Sequence, residues 1–235
     1  MTEVPLPETC CPATVWIRVG QAAYLGPSLR LDPHSGAVDC LVVGVDAPFT
    51  LHAGGTTHRA RSAVIPARTR HQVVTEGRVL FCYLDPAARV HDRGPGIRLG
   101  HPDEDDLVRD PDPARVFDRL SPVRVDERIR AALRIMRAHP ADRLSAAEVA
   151  REVHLSTSRF LHLFSAHTRT TFRRYRLWTR MVRVAAAVSA GHDLTRASAD
   201  AGFASPAHFS DSFHAMFGLS AGKLLAAGAR VVVAA

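Results

Sequence analysis

The 235-residue sequence predicts an α+β fold, with a small β-barrel in the N-terminal half and an all-α domain in the C-terminal half. Between residues 13 and 90, short apolar segments are separated by clusters of Gly, Pro, Asp and Ser. Strands this short and closely spaced are typical of a small barrel or jelly roll. From Val125 onward only Pro140 and Pro206 interrupt a pattern in which apolar residues recur with the helical period. The two halves therefore predict two structurally different domains.

The stretch between the two halves is polar and acidic, with HPDEDD at 101–106 and several prolines, and we expect a linker with one short helix near 113–120. The apolar segment RVVVAA at the C-terminal end has no predicted role. The predicted divisions are a barrel at 1–90, a linker at 91–124, a helical domain at 125–225 and a tail at 226–235.

Capping residues mark the starts of the helices in the C-terminal half. Ser145 lies three residues before Glu148, which is the spacing of a capping box. Ser156 and Ser205 are placed to cap two later helices, and Pro206 suits a first helical position because its missing N–H costs nothing there. The predicted helices span 126–139, 145–153, 156–167, 171–190, 194–201 and 205–217.

An internal repeat at an offset of 49 residues links two of these helices, because STSRFLHLF at 156–164 aligns with SPAHFSDSF at 205–213. In each copy two phenylalanines lie one helical turn apart, which predicts one apolar face that packs on the preceding helix. Two helices, a tight turn and an outward polar face make a helix-turn-helix. A pair of ordinary helical hairpins in a bundle is the alternative interpretation.

The spacing of the two copies favours a protein that binds double-stranded DNA. A connecting helix of about 19 residues is roughly 29 Å long, and successive major grooves on one face of DNA repeat at about 34 Å. Both copies could therefore lie over adjacent grooves.

The net charge of +7 is concentrated in the C-terminal half. Residues 1–124 hold 14 arginines against 15 carboxylates, whereas residues 125–235 hold 15 arginines and one lysine against eight carboxylates. A basic domain joined to a neutral one is typical of a polyanion-binding module with a sensing or assembly module, and a solvated basic surface is the alternative. The arginines that we expect to contact phosphates are Arg169, Arg173, Arg174, Arg176 and Arg180.

Residues 125–225 resemble the DNA-binding domain of the AraC/XylS family of transcription regulators. The resemblance is carried by GFASPAHFSDSFHAMFGLS at 202–220, by AREVHLSTSRFLHLF in the first copy, and by Tyr175 and Arg180. It implies a seven-helix, bipartite domain that acts on promoters.

The same resemblance implies which side chains face the bases. In the two recognition helices these are Thr157, Ser158, Leu161, His162, Pro206, Ala207, His208, Ser210 and Asp211. Three positions depart from the family pattern. Asp211 occupies a usual arginine position, Ala221 a common proline position and Arg169 a usual glycine position. A carboxylate at 211 repels phosphate but can accept a hydrogen bond from cytosine.

Residues 13–90 weakly resemble the degenerate cupin-like barrel that often precedes this domain, through Pro66 and His71 in PARTRHQV. The first cupin motif is absent, and a metal site needs three or four convergent ligands. His34, His52 and His58 could converge with His71, but we expect structural or surface histidines and no metal. Small-molecule sensing inside the barrel, dimerisation and a vestigial spacer remain as alternative roles.

The four cysteines, Cys10, Cys11, Cys40 and Cys82, match no disulfide framework or zinc module. They permit a thiol sensor, although we rank buried or incidental cysteines ahead of it because a reactive thiol needs exposure and a lowered pKa. The first residues contain Glu3 and Glu8 and do not form a secretory leader, and no run of about 18 apolar residues is present.

These observations predict a cytoplasmic DNA-binding transcription regulator with no catalytic residues and no cofactor. Promoter DNA is the expected partner, and RNA polymerase, a small-molecule effector and a second copy of the chain are further candidates. A barrel enzyme, either an isomerase or a dioxygenase with a basic helical appendage, is the alternative from another class. An adaptor whose basic helices bind protein or RNA is a third reading.

Overall fold

The computed structural model of the chain describes residues 13–89, 96–122, 125–141 and 144–233. The α+β prediction is confirmed, with strands in the first half and helices in the second. The strands are β1 (Thr14–Arg18), β2 (Gln21–Pro27), β3 (Cys40–Gly44), β4 (Phe49–Ala53), β5 (Thr56–Ala60), β6 (Ser62–Ile65), β7 (His71–Val74), β8 (Arg78–Tyr83), β9 (Ala88–Arg89), β10 (Arg98–Leu99), β11 (Ser121–Pro122) and β12 (Arg230–Val233). The helices are α1 (Glu104–Arg109), α2 (Pro113–Asp118), α3 (Glu127–Ala138), α4 (Ala146–Glu152), α5 (Thr157–Thr168), α6 (Phe172–Ser189), α7 (Leu194–Asp200), α8 (Pro206–Phe217) and α9 (Ala221–Ala226).

The N-terminal domain consists of two sheets that face each other across an apolar interior. Within the described residues, the larger sheet has the order β10-β6-β3-β8-β2-β1-β12, and the smaller one has the order β5-β4-β7. Phe49 and Leu51 from the smaller sheet pack with Val42, Ile65 and Phe81 from the larger one. This arrangement is the expected barrel-like architecture.

Strand β3 explains why the segment CLVVG is apolar throughout. Val42 points into the barrel interior, whereas Leu41 and Val43 point to the opposite face of the sheet. That second face is covered by helices α1 and α2, so both faces of the strand are buried. A strand buried on both sides is expected to be a continuous apolar run and not an alternating one.

The stretch expected to be a linker is instead folded onto the barrel over residues 96–122, while residues 91–95 and 123–124 lie outside the described residues. The short helix expected near 113–120 is present as α2, but α1 and strand β10 were not expected. Leu107, Val116 and Phe117 are buried against the outer face of the large sheet. The expected linker is folded because these three apolar residues, although scattered in an acidic and proline-rich segment, pack on the sheet.

The C-terminal domain contains the helices that the capping residues predicted. Ser145 and Glu148 form the full capping box, and Ser156 and Ser205 each accept a hydrogen bond from a backbone N–H in the first turn of α5 and α8. Within the described part of residues 125–233, seven helices, α3 to α9, form the domain. This number agrees with the seven helices that the family resemblance implied. None of the described helices is long and apolar enough to cross a bilayer.

The apolar C-terminal segment has a structural role that the sequence did not reveal. Strand β12 pairs in parallel with β1, with Thr14 opposite Arg230 and Ile17 opposite Val233, so it forms one edge of the large sheet. Ser189 at the end of α6 donates a hydrogen bond to the Val231 carbonyl, at 3.0 Å. Residues 230–233 are therefore an integral strand of the N-terminal sheet, not a tail.

A buried ion pair joins the two domains at the C-terminal end of α3. Arg137 donates to the Asp85 carboxylate at 2.6 Å and to the Tyr175 hydroxyl at 2.7 Å. The side chains of Arg137 and Asp85 are only 18% and 12% exposed, so removing either partner would leave a charge with little water to solvate it. Trp178 adds a hydrogen bond from its indole N–H to the Gly20 carbonyl, at 3.2 Å.

A second junction lies at the C-terminal end of α8. The Asp32 N–H donates to the Gly218 carbonyl at 2.8 Å, and His214 Nε2 lies 3.0 Å from the Asp32 carboxylate. Gly218 ends the helix in the left-handed conformation, with φ of 76°, and a Cβ at this position would lie 2.5 Å from the Asp32 carbonyl oxygen. Glycine is therefore required here both by the backbone conformation and by the close approach of the barrel.

We expect the burial of Val231 in β12 to stabilise the whole protein. Val231 is half-buried against the apolar core, whereas Val233 in the same strand is 53% exposed. Val231→Asp should lower the free energy of unfolding by about 2 kcal/mol or more, since it places an unpaired carboxylate in an apolar contact, and Val233→Asp should change it by less than about 0.5 kcal/mol. Denaturant unfolding of both variants tests this. Equal effects would mean that the strand does not pack as described.

We also expect the protein to lose stability in acid because the His34 side chain is buried. Burial, aided by the neighbouring His71, lowers the pKa of His34 from 6.5 to about 4. The folded protein then binds fewer protons here than the unfolded chain, so this contribution to stability is present above about pH 6.5 and is lost as the pH falls toward 4.

The measurement is the melting temperature as a function of pH for the wild type, for His34→Asn and for the exposed control His52→Asn. His34→Asn should flatten the dependence between pH 6.5 and 4, and the control should not. A wild-type slope retained in His34→Asn would show that another group is responsible.

Candidate nucleic-acid interface

Helix α5 of the first helix-turn-helix unit has one buried apolar face and one exposed face, as the repeat predicted. Phe160 and Phe164 in α5 are fully buried, with their rings 5.6 Å apart. The opposite face of the same helix carries the four predicted base-facing residues, and all of them are exposed: Thr157, Ser158, Leu161 and His162. Leu161 is 40% exposed, which is unusual for a large apolar side chain in this protein. The outward face of α5 is therefore open to a partner.

The second unit has the same arrangement at the start of α8. Phe209 is buried and packs edge-on against Phe203, at 5.2 Å between ring centroids. The predicted base-facing residues are again all exposed: Pro206, Ala207, His208, Ser210 and Asp211. Only the C-terminal half of this helix touches the barrel, so its N-terminal half is open to solvent. The assignment of these nine residues to base contacts stays a prediction.

His208 also has a local structural role that the sequence did not indicate. Its Nδ1 accepts a hydrogen bond from the Ala204 N–H at 3.3 Å, and its ring packs on Phe203 at 5.5 Å. These contacts hold the imidazole at the N-terminal end of α8 and leave its other ring nitrogen, Nε2, as the one available to a base.

The turn after the first unit keeps its shape although arginine replaces the usual glycine. Arg169 ends α5 in the left-handed conformation, with φ of 60°, and its N–H donates to the Ser165 carbonyl at 2.9 Å. Buried Thr168 stabilises the turn through its hydroxyl, which donates to the Phe164 carbonyl at 2.6 Å. The departure at position 169 thus introduces backbone strain but does not abolish the turn.

The helix that connects the two units is α6, with 18 residues, so it is about 27 Å long. Arg173 in its first turn is exposed, and its assignment to a phosphate contact stays a prediction. The guanidinium of Arg174 is not available to a phosphate, because it donates to the Ser35 hydroxyl at 2.8 Å and to the Ser35 carbonyl of the barrel. The expected phosphate contact of Arg174 is therefore replaced in this structure by a contact between domains.

The expected phosphate contacts of Arg176 and Arg180 are replaced in this structure by contacts inside the domain. Arg180 is 5% exposed, donates to the Pro140 carbonyl at 3.2 Å and lies 6.0 Å from the centre of the Phe203 ring. Arg176 donates to the Leu144 carbonyl at 2.9 Å. Both lie on the face of α6 that packs on the helix-turn-helix units. They therefore stabilise the domain, although their charge suggested that they would contact DNA.

The barrel histidines do not form a metal site among the described residues, where no group of three or more His, Cys, Asp or Glu side chains has the geometry to hold an ion. His34 and His71 do pack together, with ring centroids 4.4 Å apart. His52 and His58 are elsewhere, on the smaller sheet, and pair with the hydroxyls of Thr57 and Thr56.

The barrel cysteines do not support a thiol sensor. Cys40 and Cys82 are buried, and burial raises the pKa of both thiols, which makes them poor nucleophiles. Cys10 and Cys11 lie outside the described residues.

Comparison with known proteins agrees with this description. Residues 149–227, which run from within α4 to just past the end of α9, match the helix-turn-helix domain family. No curated protein matches the chain significantly.

Among solved structures, an apo variant of ToxT from Vibrio cholerae is similar over 90% of this chain and 99% of its own, with a TM-score of 0.62 and 10% identity. Wild-type ToxT bound to an unsaturated fatty acid has a TM-score of 0.59 and 11% identity, over 89% of this chain and 96% of its own. ToxT bound to (E)-4-(8-methylnaphthalen-1-yl)but-3-enoic acid has a TM-score of 0.56 and 9% identity, over 92% and 98% of the two chains.

At these identities the ToxT structures establish a shared fold across both domains. The match over 149–227 shows that this region is a helix-turn-helix domain. In its motif at 202–220 the chain resembles the DNA-binding transcription regulators of the AraC/XylS family.

Proposed function

We propose that this regulator binds specific double-stranded promoter DNA by placing α5 and α8 in adjacent major grooves, and that a small molecule modulates this binding. The observation that carries the proposal is the same in both units. Buried phenylalanines hold each helix inward, and short polar or apolar side chains face outward from its first turns. Helices of this kind enter the major groove by their N-terminal residues.

The exposed side chains suit readout of base edges. The hydroxyls of Thr157 and Ser158 and the ring of His162 can donate or accept hydrogen bonds, and Leu161 can contact a thymine methyl group. In the second unit Pro206 and Ala207 are also suited to apolar contact with a methyl group, and Asp211 can accept from the amino group of cytosine. We infer that the second unit prefers a cytosine opposite position 211.

Modulation is supported by how the barrel holds the second unit. The barrel contacts the C-terminal part of α8 by hydrogen bonds at His214, Ala215 and Gly218 and by the packing of Tyr83 on Phe217. It also engages Arg174 at the start of α6. A small molecule that changes how the two domains fit together would change the placement of α8 relative to α5. The ToxT structures with a fatty acid and with a synthetic acid support the idea that proteins of this fold take small-molecule ligands.

Regulation at a promoter would bring the chain into contact with RNA polymerase. Pairing of two chains is a separate prediction, which the oligomeric state in solution tests. The intracellular location follows from a DNA target and remains part of the proposal.

We expect His162→Ala to change base preference more than overall affinity. Loss of the imidazole removes discrimination of about 1–3 kcal/mol at one or two base pairs. The measurement is selection of binding sites from random DNA with the full chain, using His52→Ala in the exposed part of the barrel as the control of the same residue type. Identical selected sites for wild type and His162→Ala would exclude this residue from base readout.

We expect Arg173 to contribute to DNA affinity and Arg180 to contribute to the stability of the fold. Arg173→Ala should weaken binding to every DNA sequence and reduce the salt slope by about one, with little change in stability. Arg180→Ala should lower the free energy of unfolding by roughly 1–3 kcal/mol, because it leaves the Pro140 carbonyl without its partner, and should leave the salt slope unchanged. Titrations at several salt concentrations and thermal melts of both variants decide this. The opposite pattern would restore Arg180 as a phosphate contact.

A further inference from the structure

A cavity of about 110 Å³ lies where the inner face of the barrel meets the helical domain. Both domains supply its walls. The barrel contributes residues of β2 and β8, and the helical domain contributes residues of α6, α8, α9 and the final strand, represented by Tyr24, Phe81, Met181, Phe213, Leu224 and Val231. The cavity therefore lies at the mouth of the barrel and not in its interior, where small-molecule sensing was one of the three alternative roles.

The walls of this cavity carry no charge. Every residue that lines it is aliphatic or aromatic, or is Met181. Two of its three hydrogen-bonding side chains are engaged elsewhere, since the Tyr24 hydroxyl donates to the Pro27 carbonyl at 2.8 Å and the Trp178 indole N–H donates to the Gly20 carbonyl, and the third is Tyr83. A carboxylate or ammonium group in this space would lose its water and gain no partner of opposite charge. An uncharged apolar molecule has no charge to remove from water, so its entry carries no such cost.

The size of the cavity sets the size of the ligand. Cavities of about 150 Å³ with similar walls stay dry and bind benzene. An empty cavity also lowers stability in proportion to its volume, so a guest that fills it is bound with a gain in contacts. A molecule with a single six-membered ring fits these dimensions.

A surface groove adjoins this cavity. A groove between the end of α6 and strand β12 is lined by Ser189, Ala229 and Arg230, and it shares Val188, Leu225 and Val231 with the cavity. The Ser189 to Val231 hydrogen bond crosses this groove. Strand β12 is thus one wall of this groove.

The cavity also touches the back of the second recognition helix. Phe209, Phe213 and Phe217, which hold α8 inward, all line it. A guest would therefore pack directly against the residues that set the position of α8 relative to the barrel.

We propose that this cavity is the effector site of the regulator and that its ligand is an uncharged, single-ring apolar molecule. The regulatory part of this inference rests on the proposed function, whereas the binding part does not. The ligand class differs from the carboxylic acids bound to ToxT, because the lining residues here offer no cation to pair with an acid.

The test compares two probes with the same ring and different charge. The full-length chain is titrated with toluene and with benzoate at pH 7.5, and binding is followed by NMR chemical shifts and by the melting temperature. Toluene should bind saturably and raise the melting temperature, and benzoate should bind at least tenfold more weakly. Equal affinities, or no saturable binding of toluene, would overturn the proposal.

A cavity-filling variant locates the site. Ala185 in α6 lines the cavity and the adjacent Ala186 does not. Ala185→Leu should weaken toluene binding at least tenfold, whereas Ala186→Leu should leave it unchanged. If Ala185→Leu fails to fold, Ala22→Val in β2 fills the same space from the barrel side. Unaltered toluene binding in a folded cavity-filling variant would place the ligand elsewhere and overturn the assignment.

DNA binding is measured in parallel, with and without toluene, so that the two proposals fail separately. In the wild type toluene should change the affinity for selected DNA at least threefold, and in Ala185→Leu it should not. Intact DNA binding without saturable toluene binding overturns only this inference. Absence of specific DNA binding by the wild type overturns the proposed function, while saturable toluene binding would still support the cavity. Toluene binding without any change in DNA affinity would overturn its assignment as the effector site.

Discussion

Three aromatic side chains join the two domains and the second recognition helix into one packed unit. Tyr83 of the barrel lies 5.6 Å from Trp178 of the connecting helix and 5.4 Å from Phe217 of α8, and the last two are 6.4 Å apart. Aromatic pairs at these separations contribute both buried area and favourable ring geometry. The position of α8 relative to α6, and so to α5, depends on this cluster. The buried ion pair of Arg137 with Asp85 adds directional restraint to a contact that is otherwise apolar.

The same packing divides the arginines of the connecting helix into two groups. Those on the inner face, Arg176 and Arg180, bind backbone carbonyls and lie close to the rings of Phe172 and Phe203. Arg173 on the outer face remains exposed. Positive charge on the inner side of this helix thus stabilises the domain, whereas the charge of Arg173 on the outer side stays accessible to a partner.

Local signals account for what could be predicted from the sequence. Capping residues, the phenylalanine spacing and the repeat at 49 residues act over one or two helical turns, and the helices begin and end where these signals indicated. The features that were missed depend on distant partners. The pairing of β12 with β1 joins residues more than 200 positions apart, and the carbonyls that engage Arg176 and Arg180 belong to segments some 30 to 40 residues away. A cavity formed by both domains has no local signature at all.

The parallel pairing of β12 with β1 has a consequence for synthesis on the ribosome. The outer edge of β1 keeps its backbone groups unpaired until residues 230–233 have left the exit tunnel, although the rest of its sheet is available far earlier. An unpaired edge is a template for association with other chains. The nascent protein therefore exposes the edge of β1 until β12 docks and becomes the edge strand in its place, so crowding of translating ribosomes should favour association through β1.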